Sequence, residues 1–341
     1  MKRAAIVGIF AGLILAMALI IHFGLAEVGA ALHAAGLFGL LAITAIHLAA
    51  IAVMGIAWWV VAGGNRSGNG PWLYIWGRLV RDSGSEVLPL SQVGGYVLGA
   101  RAIAAHGIGA ASAAATTVVD ITLELCAQIG YTALGLLLLL QLHPGDGLAI
   151  PVLLGLGIAV AAVVGFVATQ RRGADMLDRL AQFLARDWLA TIATGAGAVQ
   201  DEIRQAYART GGSSLCFLLH FAAWIGTATE AWLVLKLMGV ELGFGPVLVI
   251  ESLLYAIRSV AFAVPNAIGV QEGAYIMLGA PFGLSPEVAL ALSLLKRGRD
   301  LLIGIPTLLI LQLLEGRRFW LGRPAPAKMA VREPNGPGTR D

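Results

Sequence analysis

The sequence predicts an all-α polytopic membrane protein: an inverted-repeat helical bundle with about six full spans plus two re-entrant, Pro-broken hairpins. Three observations predict it. Of 341 residues, 58% are hydrophobic and only 13% charged, about half the charged share of a soluble domain. Apolar runs long enough to cross a bilayer recur, and the short loops between them alternate between containing and lacking Lys and Arg. Finally, one polar pattern occurs twice. Leu88 to Asp120 and Val264 to Asp300 share an apolar residue before Pro, then Gln-x-Gly-x-Tyr, then Gly-Ala, then Asp. Gln92, Gly94, Tyr96 and Asp120 correspond to Gln271, Gly273, Tyr275 and Asp300 at an offset of 179 or 180 residues.

The first span is expected over about Ala4 to Ile21, with Lys2-Arg3 left in the cytoplasm. A signal peptide is the competing reading, but the run exceeds the usual apolar core of about 7–15 residues. Residues 1–35 then form this span and an external loop, and residues 36–171 the first membrane repeat. The second span covers about Gly36 to Val61. Residues 72–106 behave differently: a first leg with Arg78, Arg81, Asp82 and Glu86, an interruption at Pro89, and a short second leg rich in glycine. Proline removes a backbone donor and clashes with the preceding turn. Broken backbone at membrane depth survives only where protein or water covers it. A re-entrant hairpin satisfies that; an amphipathic surface helix plus one ordinary span is the alternative.

The third span, about Ala111 to Leu140, carries Asp120 and Glu124, which share one helix face at i, i+4. The fourth, about Ala149 to Thr169, ends on Arg171-Arg172. Residues 172–213 are the one sizeable polar segment. An apolar stripe there, Met176 to Trp188, suits a helix lying on the cytoplasmic interface or against the protein itself.

Residues 214–316 form the second repeat. The fifth span, about Ser214 to Met238, opens His220-Phe-Ala-Ala where the second opens His47-Leu-Ala-Ala. The second hairpin, about 246–281, contains Glu251 and Arg258, breaks at Pro265-Asn266 and returns through a leg too short to span. The sixth span, about Pro286 to Leu314, holds Lys296, Arg297, Arg299 and Asp300 near its middle; a short cytoplasmic loop at those residues is the alternative. Residues 317–341 are expected to be a disordered cytoplasmic tail. The second span runs inward and its partner, the fifth, outward, so the repeats are predicted to be inverted, with both termini cytoplasmic.

Polar groups at bilayer depth are costly and mark functional sites by default. The candidate substrate pathway is Gln92, Tyr96, Asp120, Glu124, Glu251, Arg258, Asn266, Gln271, Glu272, Tyr275, Lys296, Arg297, Arg299 and Asp300. Pro89 and Pro265 fix the hairpin breaks, and Gly94, Gly95 and Gly273 are expected to permit close backbone approach. The competing reading of these charges is internal pairing that pins helices: Arg258 with Glu272, or Arg299 with Asp300 or Asp120. If protons drive transport, Asp120 and Glu124 are the expected carriers. The net charge of +3, spread over the ends of spans, argues against nucleic-acid binding. The six histidines show no ligand spacing, so no metal or other cofactor is expected, and Cys126 and Cys216 read as packing residues. No Gly-x4-Gly-Lys-Ser/Thr motif is present.

The run ESLLYAIRSVAFAVPNAIGVQEGAYIMLG, with LSLLKRGRDLLIGIP after it, resembles the hopanoid-biosynthesis-associated membrane proteins of the HpnL type. More broadly the chain resembles the flippase-like transmembrane domain of lysylphosphatidylglycerol synthases, over about Ala4 to Leu314. The resemblance implies a multi-pass protein of the bacterial inner membrane that moves a lipid, a hopanoid or polar derivative, and works beside hopanoid-biosynthesis enzymes. The full synthases also carry a soluble aminoacyl-transfer domain; some 25 residues after the last span are too few for one, so no enzymatic activity is expected. An intramembrane lipid-modifying enzyme using Glu272 or Asp300, and a scaffold for hopanoid enzymes, are the alternatives. Neither a nucleophile beside a histidine nor an Asp-rich phosphate motif supports the enzyme, and the scaffold leaves the duplicated polar motif unexplained.

Overall fold

A computed structural model describes residues 25–64, 68–88, 91–142, 196–261 and 264–320, with isolated positions between 150 and 164. The first expected span and nearly all of the fourth, the stripe from Met176 to Trp188, Pro89 and the tail beyond Trp320 lie outside the described residues.

Helix α1, Leu25–Val61, is bent at Gly36, whose φ of 59° with ψ of −170° is a combination reserved to glycine. It lies along α6, Thr210–Leu237, which follows α5, Ala196–Ala208, almost without a loop. With α4, Ala110–Leu142, these supply the three described helices long and apolar enough to cross a membrane: Leu32–Val61, Ala110–Leu142 and Thr210–Leu237. They coincide with the expected second, third and fifth spans. Helix α9, Pro286–Trp320, is as long but charged in its middle. It is unbroken from Lys296 to Asp300, which excludes the loop reading, and it continues past the expected boundary at 316.

Between these lie two helical hairpins. Helix α2, Pro71–Val87, starts with Pro in its first turn, where the missing N–H costs nothing. It ends because Leu88, before Pro89, is forced to extended backbone (φ −91°, ψ 146°). The return leg, α3, Ser91–Ala104, runs antiparallel to it at glycine-limited distance. A Cβ on Gly95 would stand 2.4 Å from the Arg81 carbonyl, and one on Gly99 2.8 Å from the Gly77 carbonyl. In the second hairpin, α7, Phe244–Val260, gives way to a 3-10 turn at Pro265–Ala267. Asn266 and Ala267 there are left-handed (φ 48° and 46°), so the chain reverses without a helical path. Helix α8, Val270–Gly279, then begins, its N-terminus capped where Glu272 accepts the Gly269 N–H at 2.7 Å. The four legs have 17, 14, 17 and 10 residues, hence about 25, 21, 25 and 15 Å, each short of a hydrocarbon core of about 30 Å.

The two breaks touch. Asn266 Nδ2 donates to the Glu86 carbonyl at 3.0 Å, and Arg258 donates to the Glu86 carboxylate at 3.0 and 3.1 Å. The core is apolar and aromatic, with Ile43, Trp58, Tyr131, Tyr275 and Leu290 fully buried. Large apolar side chains such as Phe38, Leu137, Met277 and Leu313 face outward. Oily outside and charged inside is the arrangement a bilayer favours.

Candidate functional site

The charged residues of the hairpins and long helices assemble into two buried networks that meet at the junction. The first lies between α2, α4 and α6. One turn apart on α2, Arg78 and Arg81 point at α4, and on α4 Asp120 and Glu124 point back from their shared face. Arg78 grips Glu124 with two parallel bonds of 2.9 and 2.7 Å and Asp82 through Nε at 2.7 Å. Arg81 binds Asp120 at 2.9 Å, also contacts Glu124, and lies 4.5 Å over the Tyr96 ring. From α6, His220 Nε2 meets the other Asp120 oxygen at 2.9 Å. Asp120 and His220 are fully buried.

The second network joins α1, α2, α6, α7, α8 and α9. Lys296 Nζ donates to Glu251 at 2.6 Å and to the Tyr275 hydroxyl at 3.0 Å, and that hydroxyl donates to Glu251 at 2.6 Å. Arg297 grips Glu272 at 2.6 and 3.1 Å and reaches the Asn266 and Ala267 carbonyls, so it also fastens the break. The Ser293 hydroxyl donates to Glu272 at 3.0 Å and accepts from Gln271 at 2.9 Å. Arg258 donates to Gln271 at 2.8 Å, to Asn266 at 3.2 Å and to Glu86, joining the second hairpin to the first. Arg299 binds Asp300 at 2.6 Å and contacts Glu230, whose far oxygen lies 3.3 Å from His47 Nδ1.

Removing one partner of such a buried pair costs about 3–5 kcal/mol, because the other charge is left without water. The networks therefore hold the hairpins against the long helices. Their exposure is uneven. The Asp120, Glu251 and Glu272 side chains have none, whereas those of Asp82 and Glu86 at the junction are 23% and 28% exposed. Asp120, Cys216 and His220 bring ligand atoms within 4.8 Å of one another. Arg81 on the second Asp120 oxygen and Arg78 on Glu124 already supply cationic charge there, so the trio reads as a hydrogen-bonded group rather than a metal centre.

Most of the expected pathway residues thus converge, but with different partners. Arg258 pairs with Glu86, not Glu272, which belongs to Arg297. Arg299 takes Asp300 and Glu230, not Asp120, which belongs to Arg81. Pro265 lies in the 3-10 turn, and Gln92 and Gly94 lie on the first turn of α3. Gly95 makes the close approach expected of it. Gly273 does not: a Cβ there would meet nothing within 4 Å. Seven residues join the networks beyond those expected: Arg78, Arg81, Asp82, Glu86, His220, Glu230 and Ser293, with His47 beside them. The i, i+3, i+4 and i+8 spacing of Arg78, Arg81, Asp82 and Glu86 marks one face of α2, and Arg78 stands 180 residues before Arg258, the repeat offset.

This fold and site define a helical membrane protein with a charged interior formed by two broken hairpins. The family described as lysylphosphatidylglycerol synthase TM region matches residues 5–306, and the chain belongs to that family. No curated protein and no solved structure matches it. Family membership gives the protein a membrane location and a lipid-related function.

Proposed function

We propose that the protein is a flippase-like translocator of the bacterial inner membrane, carrying a lipid between leaflets through the junction of its two hairpins, with a hopanoid or hopanoid derivative as the lipid. The observation that carries this reading is the contact of the breaks at Glu86, Arg258 and Asn266, where the buried charge network becomes accessible. A headgroup needs a polar route across hydrocarbon while its tails stay in lipid, and broken helices meeting at mid-depth supply one. The four legs too short to cross suit two re-entrant hairpins of inverted repeats, with both termini in the cytoplasm. In this reading the chain performs no covalent chemistry, and enzymes of hopanoid synthesis deliver its cargo.

The test compares hopanoid distribution between inner and outer membranes in a deletion strain and in Glu272→Gln and Asp300→Asn strains. Normal total hopanoid with shifted location in all three is the expected result. A biosynthetic intermediate that accumulates while location stays normal would replace translocation by an enzymatic or scaffolding role.

A further inference from the structure

Side-chain bridges run in a ring from α2 to α4, from α4 to α7 and back to α2. Arg78 on α2 holds Glu124 on α4 at 2.9 and 2.7 Å. Gln128, one turn beyond Glu124, donates to the Ser259 hydroxyl of α7 at 2.5 Å and to the Tyr255 carbonyl at 3.1 Å. Arg258, next to Ser259, returns to Glu86 on α2 at 3.0 Å. The ring is the accessible part of the charged interior. Asp82 and Glu86 are its most exposed carboxylates, and Ser259 is exposed beside Val260, an apolar residue 82% exposed at the end of α7. Polar groups open at membrane depth beside an apolar rim suit a headgroup whose tails stay in lipid.

One donor in the ring is left over. Arg81 is 2% exposed; its terminal nitrogens bind Asp120 and Glu124, and its Nε is buried without a partner. Asp82 Oδ1 stands 3.9 Å from that Nε, too far for a hydrogen bond, while Arg78 holds the other Asp82 oxygen at 2.7 Å. A buried donor without an acceptor is costly. A ligand group that settles this pair must accept from Arg81 Nε and donate to Asp82 Oδ1. A hydroxyl does both. An ammonium donates to Asp82 but accepts nothing, and it brings a second cation against the guanidinium. A phosphate accepts from Arg81 but has no proton for Asp82, and it meets the carboxylates of Asp82 and Glu86. The remaining rim groups, the Gln128 amide and the Ser259 hydroxyl, are neutral and match hydroxyls equally well.

We propose that the ring between α2, α4 and α7 binds a neutral, hydroxyl-bearing lipid headgroup, a polyol or glycosyl group, with one hydroxyl held between Arg81 Nε and Asp82 Oδ1. Its role as the cargo site rests on the translocator reading and narrows the cargo to a hydroxylated lipid; binding itself does not rest on that reading. Binding is measured by native mass spectrometry of the full chain in detergent, with equal concentrations of monoglucosyl diacylglycerol, phosphatidylethanolamine and phosphatidic acid of identical acyl chains. A hydrogen bond to a charged partner is worth about tenfold in affinity, so the glucolipid is expected to exceed each of the others by about tenfold or more. Asp82→Ala leaves the Arg78–Glu124 bonds in place and is expected to abolish that preference; Gln128→Leu, on the rim, is expected to reduce it severalfold. Preference for phosphatidylethanolamine or phosphatidic acid, or no preference, overturns the proposal, as does either folded variant keeping the wild-type preference. Free methyl glucoside that displaces the glucolipid at equal concentration overturns a lipid as the source of the hydroxyls. Leaflet exchange of the same lipids in proteoliposomes separates the two readings. Glucolipid bound but not moved removes translocation and leaves the site; lipids moved without preference and bound without preference remove the site and leave translocation.

Discussion

Substituting Gly95 by Ala tests the hairpin geometry quantitatively. The added Cβ would lie 2.0 Å from Ser85 Oγ, 2.4 Å from the Arg81 carbonyl and 2.9 Å from the Ser85 N. Ser85 Oγ can rotate away, but the two backbone atoms cannot. Restoring ordinary contact at the Arg81 carbonyl requires the legs to part by roughly 1 Å, and overpacking of this kind costs about 1–3 kcal/mol. Alanine returns about 1 kcal/mol of helix propensity, which leaves a net loss of up to about 2 kcal/mol. Gly273→Ala is the control, because nothing lies within 4 Å of its Cβ and only the propensity gain, about 0.5–1 kcal/mol, remains. Thermal unfolding in one detergent should rank Gly273→Ala at or above wild type and Gly95→Ala several degrees below it. Equal stability of the two variants would refute the close-packed antiparallel hairpin. Parting the legs also displaces Arg81, so the folded fraction of Gly95→Ala should move lipid more slowly.

Glu251→Gln strips Lys296 of its carboxylate in a fully buried site and should destabilise by about 3–5 kcal/mol; adding Lys296→Met should recover most of that, read as a double-mutant cycle of unfolding. Asn266→Val should cost about 1–3 kcal/mol, since a branched side chain resists the left-handed backbone, whereas Asn266→Gly should fold normally but weaken the Glu86 contact and slow transfer. Cys216 is buried and should resist a maleimide in the folded protein, while half-buried Cys126 reacts faster; the order of labelling by mass spectrometry checks the packing of α6 against α4.

The hairpins and the mid-helix charges were legible because each violates its apolar surroundings. Pro89 and Pro265 interrupt apolar runs that also carry charge, and Lys296 to Asp300 had to be either a loop or an interior cluster. Pairing was not legible, because it depends on the azimuth of each helix. Arg258 and Glu272 lie on one hairpin, yet Arg258 turns across the junction to Glu86 while Arg297 reaches Glu272 from α9. For the same reason Gly273, aligned with Gly94 by the repeat, carries none of the packing role that neighbouring Gly95 has in the first hairpin. His220 and Glu230 lie in an apolar span and take their partners from other helices; only the docking of α6 on α4 and α9 brings those partners to them.

The most direct test of the account is transbilayer exchange of a fluorescent lipid in proteoliposomes, comparing wild type with Glu86→Gln and Arg258→Gln, the two sides of the junction. Wild type should exceed empty vesicles, and a loss of about 1.4 kcal/mol at the junction should slow each variant about tenfold. Folded variants that exchange lipid at the wild-type rate would place the route elsewhere and contradict the account.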